Sequence, residues 1–327
     1  MATKPPEKAT VRPNEIELIR VYEAPVKIVW DAWTDLKQLE KWWGPRGFTI
    51  TTKSKDLHPG GKWIYTMHGP DGTDYPNIAT YHVVLKYEKL VYDHGGNEEL
   101  DKLFAVSATF KEDKGKTIVR MVYTLPTANE AKAMKQHIKQ ANGNSTWDRL
   151  GEFLEDKISG KDLFIIHRSF ANSIKNIFDL WVDPEHFSRW LGPAGSTMQF
   201  ITKDIKEGGS SLWSMTTDGE TADEQIKYGK INYQKISPPN SLIYTQNFCD
   251  KNGKLSKPPF SATYPDVILT TVQLVEEGPN QTRVTVKWEV YGEATEAERK
   301  TFHDMKPLMT GGWNSSFDKI DGLISST

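Results

Sequence analysis

The chain has 327 residues, enough for two domains of ordinary size. Charged residues make up 26% and hydrophobic residues 37%, with a net charge of −2, so the composition is that of a globular chain. Residues 1–158 hold 23 basic and 22 acidic side chains and the remainder 18 and 21, which argues against nucleic acid as a partner. No apolar run approaches the ~20 residues of a spanning helix, so no membrane insertion is expected.

The segment MATKPPEKATVRPN (1–14) is rich in charge and proline, has no apolar stretch, and reads as a disordered tail. Glu15 to Glu23 alternates apolar and polar residues as a strand does, with Ile16, Leu18, Arg20 and Tyr22 on one side. Pro25 opens a helix with Val26, Val29, Trp30 and Trp33 on one face, and Asp35 is placed to cap a second short helix that Gly44-Pro45 stops. Strands follow at FTITTKS, KWIYTMH, ATYHVVLKY, KLVYDH, LFAVSATF and TIVRMVYTL, separated by turns at Asp56–Gly61, Pro70–Gly72 and Asp113–Lys116. Ala128 to Lys157 reads as one long helix with a weak spot at 142–144, its inner face holding Met134, Ile138, Trp147, Leu150 and Leu154.

The same order then begins again. Positions 20–67 align with 168–215 without a gap, and 15 of the 48 pairs are identical, against roughly three expected by composition. Trp33/Trp181, Trp42/Trp190, Gly44/Gly192 and the Gly60-Gly61/Gly208-Gly209 pairs are among them. After residue 72 the register slips, because the second copy carries extra residues around 237–240 and 250–260. TWDRLGEFL (146–154) answers SFDKIDGLI (316–324), and a second long helix is expected from Thr295 to Ser325 with a weak spot at 310–312. The domains expected are 15–158 and 162–326. Helices segregated from a run of antiparallel strands make each copy α+β.

The segments APVKIVWDAWTD (24–35), KWWGPRGF (41–48), DLHPGGKW (56–63) and YEKLVY (87–92) carry a family resemblance. So do their second-copy counterparts IFDLWVDPEHFSRWLGP (177–193), DIKEGGSSLW (204–213) and PPNSLIY (238–244). They resemble the START-like (SRPBCC, birch-allergen Bet v-like) superfamily, and within it the activator of heat-shock-protein-90 ATPase homologue family. The resemblance implies two tandem helix-grip domains. Each is a curved antiparallel sheet around a long C-terminal helix, with a cavity between the two. It also implies a small apolar molecule as partner, with a chaperone as the alternative and a cyclase- or hydrolase-type enzyme as the third reading.

Large aromatic and sulfur side chains on the strand faces are the candidate lining of that cavity. In the first copy they are Trp63, Tyr65, Met67, Phe104, Val106 and Met121, joined by Tyr123, Met134 and Ile138. In the second they are Trp213, Met215, Trp288, Val290, Phe302 and Met305. Trp63 is replaced by Ser211, so the second interior is expected to be shaped differently.

Trp42 and Trp190 read as helix packing, and Asp56–Gly61 as a turn leading into a strand rather than a phosphate cradle. The eight histidines have no metal-ligand spacing and there is no GxSxG elbow, so no cofactor, metal or catalytic set is assigned. His68 and Tyr65 could polarise a ligand carbonyl, but His68 reads first as a solvated strand-end histidine, and Arg20 and Arg168 read as sheet-surface residues. The single cysteine, Cys249, reads as a small buried strand residue and makes the reducing cytoplasm the expected compartment.

Overall fold

The computed structural model describes residues 11–95, 102–140, 145–218 and 226–325. The chain divides into two compact units between Gly160 and Lys161. In the first, β1 (Glu15–Tyr22) leads into α1 (Val26–Thr34) and α2 (Leu36–Trp42). Six strands follow: β2 (Thr49–Lys55), β3 (Lys62–His68), β4 (Asp74–Leu85), β5 (Lys89–Gly95), β6 (Phe104–Asp113) and β7 (Lys116–Thr124). Then come α3 (Ala128–Gln140) and α4 (Ser145–Ser159). Every pairing is antiparallel, in the order β1-β7-β6-β5-β4-β3-β2.

The second unit repeats this plan. It has β8 (Phe164–Phe170), α5 (Ile174–Val182), α6 (Pro184–Trp190), β9 (Ser196–Thr202), β10 (Ser210–Thr217) and β11 (Lys227–Ser237). After these come β12 (Ser241–Cys249), β13 (Ile268–Gly278), β14 (Gln281–Val290), α7 (Glu296–Asp304) and α8 (Lys306–Ser325). Its sheet order is β8-β14-β13-β12-β11-β10-β9. Each unit is therefore a curled seven-stranded sheet with two short helices after the first strand and C-terminal helices on the inner face: two tandem helix-grip domains.

The short helices are set by their caps. The Asp35 carboxylate accepts from the Gln38 amide, and Asp183 accepts from the Glu185 and His186 amides. The DxxxGG turn has a steric cause. A Cβ on Gly61 would lie 2.2 Å from the Asp56 carbonyl oxygen, and one on Gly209 would lie 2.2 Å from that of Asp204. Only glycine fits there, and the turn then bonds to the next strand, Gly60 donating to the Tyr81 carbonyl and Gly208 to that of Tyr233.

The helix expected over 128–157 is helical on both sides, as α3 and α4, of residues 141–144, which include the weak spot and lie outside the described residues. Three expectations change. In the second domain the interruption falls at Met305, not at 310–312, which run helically inside α8. Pro307 is the reason: it has no amide hydrogen and suits only the first turn of a helix, so a new helix starts just before it.

Of the tail read over 1–14, residues 1–10 lie outside the described residues. Arg12 and Asn14 are held, the Arg12 carbonyl accepting from the Glu15 amide and the Asn14 amide side chain donating to the Leu125 carbonyl. Arg168, read as a surface residue, instead reaches α8, bonding Asp318 at 2.7 Å and Asp321 at 3.0 Å, and Arg20 is likewise buried.

Candidate functional site: the inner walls of the two sheets

The turn–strand junction just described places a tyrosine at the same point of each inner wall. Tyr81 pairs across the β4–β5 ladder with Tyr92, and Tyr233 across β11–β12 with Tyr244. The ring centroids are 5.8 Å and 6.1 Å apart at 66° and 60°. Next on β5, two residues along, is His94, stacked on Phe104 at 4.7 Å. Next on β12 is Gln246, whose amide donates to Thr270 at 3.1 Å.

Burial pushes the phenols of Tyr65, Tyr81, Tyr92 and Tyr123 upward, and those of Tyr233, Tyr244 and Tyr264 as well. They are neutral hydrogen-bonding groups at physiological pH. Burial also lowers His94 to about 4, leaving it a neutral imidazole. The mid-sheet wall thus presents uncharged polar groups set in apolar surroundings.

In the first domain Trp63, Tyr65, Val106 and Met121 are buried in the main core. Trp63 stacks on Tyr65 at 3.8 Å, and Trp43 closes that corner, 5.0 Å from Trp63 and donating its indole N–H to the Tyr65 hydroxyl at 3.2 Å. The corner satisfies its own polar groups. Met67 lies against Gly44, its methyl 3.1 Å from where a Cβ would sit. Phe104 and Tyr123 border two apolar clusters: the main one under α4, and a smaller one of Ile16, Leu125 and Ala131 against which Met134 and Ile138 of α3 pack.

In the second domain there is one continuous cluster. Trp213 and Phe302 are buried in it, and Met215, Trp288, Val290 and Met305 pack partly buried against it. Tyr65 is interior, and His68 is the strand-end histidine expected, bonded to Asp74 at 2.6 Å and Thr51 at 2.9 Å.

Tyr81, Tyr92, His94, Tyr233, Tyr244, Gln246 and Thr270 were not picked out by the sequence reading. The signal was available: YEKLVY and PPNSLIY align Tyr92 with Tyr244, and the same offset of 152 aligns Tyr81 with Tyr233. Cys249 is the small buried strand residue expected, with its thiol pushed up by burial.

The family model described as "Activator of Hsp90 ATPase homolog 1-like protein" matches residues 23–155 and again 171–325. The chain belongs to that family, in two tandem copies. No curated protein matches it.

Among solved structures, a protein from Nitrosomonas europaea is similar at 20% identity, covering 46% of this chain and 99% of its own, with a TM-score of 0.41. One from Staphylococcus epidermidis is similar at 26% identity, covering 45% and 93%, with a TM-score of 0.40. The di-domain ARO/CYC BexL from the BE-7585A biosynthetic pathway is similar at 9% identity over 94% of this chain and 97% of its own, with a TM-score of 0.38. No helix among the described residues of this family member is long and apolar enough to cross a membrane.

Proposed function

We infer that each domain takes up a small apolar molecule between the inner wall of its sheet and its C-terminal helices. One observation carries the reading. At mid-sheet, where an inert core would be aliphatic, both copies hold neutral polar groups: Tyr81 and Tyr92 buried beside a half-buried His94 in one, Tyr233, Tyr244 and Thr270 buried beside a half-buried Gln246 in the other. Burying hydroxyls, amides and imidazoles costs free energy unless they are bonded, and a pocket that is apolar with a few convergent polar groups is the common form of a small-molecule site. The tyrosine pair survives the duplication although the loops around it have changed length, which supports a role for that wall in both domains. The compartment inferred for it is the cytoplasm, on the strength of a single buried, unpaired cysteine.

Native mass spectrometry of the gently purified full chain tests the reading. The expected result is one or two excess masses in the small-molecule range, lost on denaturation. A bare chain mass, together with no uptake from a panel of lipophilic compounds, overturns it.

A further inference from the structure

The two interiors differ at one corner in a way that leaves a hydrogen-bond donor without a partner. In the first domain this corner is Trp43, Thr52, Trp63 and Tyr65. The Trp43 indole donates to the Tyr65 hydroxyl at 3.2 Å and the Trp63 indole to the Thr52 hydroxyl at 3.2 Å. The gapless alignment puts Leu191, Phe200, Ser211 and Trp213 at the same positions. The two hydroxyls that accept from an indole have gone, and the one gained, on Ser211, accepts instead from the Asp204 amide and the Tyr233 phenol. The phenol that could accept has become an indole that only donates.

Trp213 is 8% exposed, and its indole nitrogen is buried with no hydrogen-bond partner among the described residues. Nor can the ring easily turn away. It lies over Gly229 on the neighbouring strand, so close that a Cβ there would be 2.1 Å from a ring carbon. Two other buried indole nitrogens lack a partner among the described residues, that of Trp288 on β14, opposite Thr270 and packed on Phe164 and Trp313, and that of Trp181, which is enclosed by aromatic rings. Buried polar groups are bonded in the great majority of cases, so orphaned donors on a ligand-facing wall ask for an acceptor from outside the chain.

We propose that the second domain binds an apolar molecule bearing a hydrogen-bond-accepting oxygen, of the aryl-ketone or quinone type, that accepts from the Trp213 indole N–H. The first domain, whose corner is self-satisfied, takes its ligand without this contact. This rests on the proposed ligand-binding function and names the ligand class for one of the two sites.

The test uses the full chain labelled with ¹⁵N at tryptophan and two molecules of one shape, 9-fluorenone and fluorene, which differ in the carbonyl. Fluorenone is expected to move the Trp213 indole proton signal downfield, while fluorene leaves it near its free position. Trp181, enclosed by Phe187, Trp190 and Trp313, serves as the unmoved reference. In Trp213→Phe the fluorenone-to-fluorene affinity ratio should fall about threefold to tenfold, the worth of one net hydrogen bond.

If Trp213→Phe does not fold, as its remaining indole signals would show, the wild-type shifts decide. Fluorene and fluorenone binding with unmoved indole signals and an unchanged ratio overturns the donor assignment and leaves the ligand-binding reading intact. Binding of neither molecule overturns both.

Discussion

Trp147 stacks on Trp33 with ring centroids 5.1 Å apart and 20° between the planes. Trp313 does the same to Trp181 at 5.9 Å and 22°. The likeness extends to the next ring, Trp42–Trp147 at 6.2 Å matching Trp190–Trp313 at 6.3 Å. The stacked pair couples the C-terminal helix to the first short helix. Replacing Trp147 by Ala should therefore cost about 3–5 kcal/mol, as removal of a buried Trp does. Urea denaturation should show that loss in the first domain's transition, with Trp313→Ala acting on the second.

Arg149 makes a different junction. Its guanidinium donates to the carbonyls of Gly44, Pro45 and Phe48 at 2.8, 2.9 and 3.1 Å, and so holds the loop after α2. Arg149→Ala leaves three carbonyls without their donor and should cost about 1–3 kcal/mol. Amide exchange should quicken selectively at 44–48, and uniform exchange along the domain would count against a local role.

Lys55 is pressed down to about 8, first by burial, with Asp35 opposing. Its ammonium group donates to the Trp33 and Thr34 carbonyls and lies 5.1 Å over the Trp63 ring. Between about pH 8 and the ordinary lysine value of 10.5 the unfolded chain binds the extra proton, so this group's contribution to stability rises with pH. The slope is at most about 1.4 kcal/mol per pH unit. The stability difference between wild type and Lys55→Met should therefore shift towards wild type from pH 8 to pH 10. A difference independent of pH would show that the lysine is not so shifted.

His94 gives a slope of the same sign at lower pH. Held near 4 by burial, it stays neutral in the fold while the unfolded chain protonates it around 6.5. Stability is lost as pH falls from about 6.5 towards 4, again by no more than about 1.4 kcal/mol per pH unit. His94→Gln, which installs the residue found at Gln246, should remove that dependence, as read from melts at pH 6.5 and 4.5.

Gly229→Ala probes the second interior. The added methyl must displace the Trp213 ring, and overpacking of this kind costs about 1–3 kcal/mol. A change in the Trp213 fluorescence component should accompany the loss. An unperturbed spectrum at full stability would show that the ring has room to move.

Much of the architecture could be read before any coordinates. Residues 20–67 and 168–215 repeat without a gap because both copies build the same helices and the same glycine-only turn, where an insertion would break a cap or a close contact. The tyrosine pair was harder to see. Four extra residues lie between Met215 and Tyr233 in the second copy, ahead of its hairpin, moving the offset from 148 to 152 and hiding Tyr92 behind a shifted frame. Arg20 was misplaced because β1 is buried on both faces along Ile19–Tyr22, so alternation does not reveal which side meets a helix. The wall's histidine and glutamine carry no motif, and only strand pairing brings them beside Phe104 and Thr270.

The C-terminal helices carry a consequence for anyone building chimaeras of the two halves. Sequence similarity aligns 146–154 with 316–324, an offset of 170, and the loop-holding cations obey it: Arg149 answers Lys319, which donates to the Pro193 and Ser196 carbonyls. The stacked indoles Trp147 and Trp313 lie at an offset of 166. The two fastenings differ by four residues, about one helical turn. A hybrid spliced at either offset keeps one fastening and slides the other about 6 Å along the helix axis, so exchanged helices cannot satisfy both.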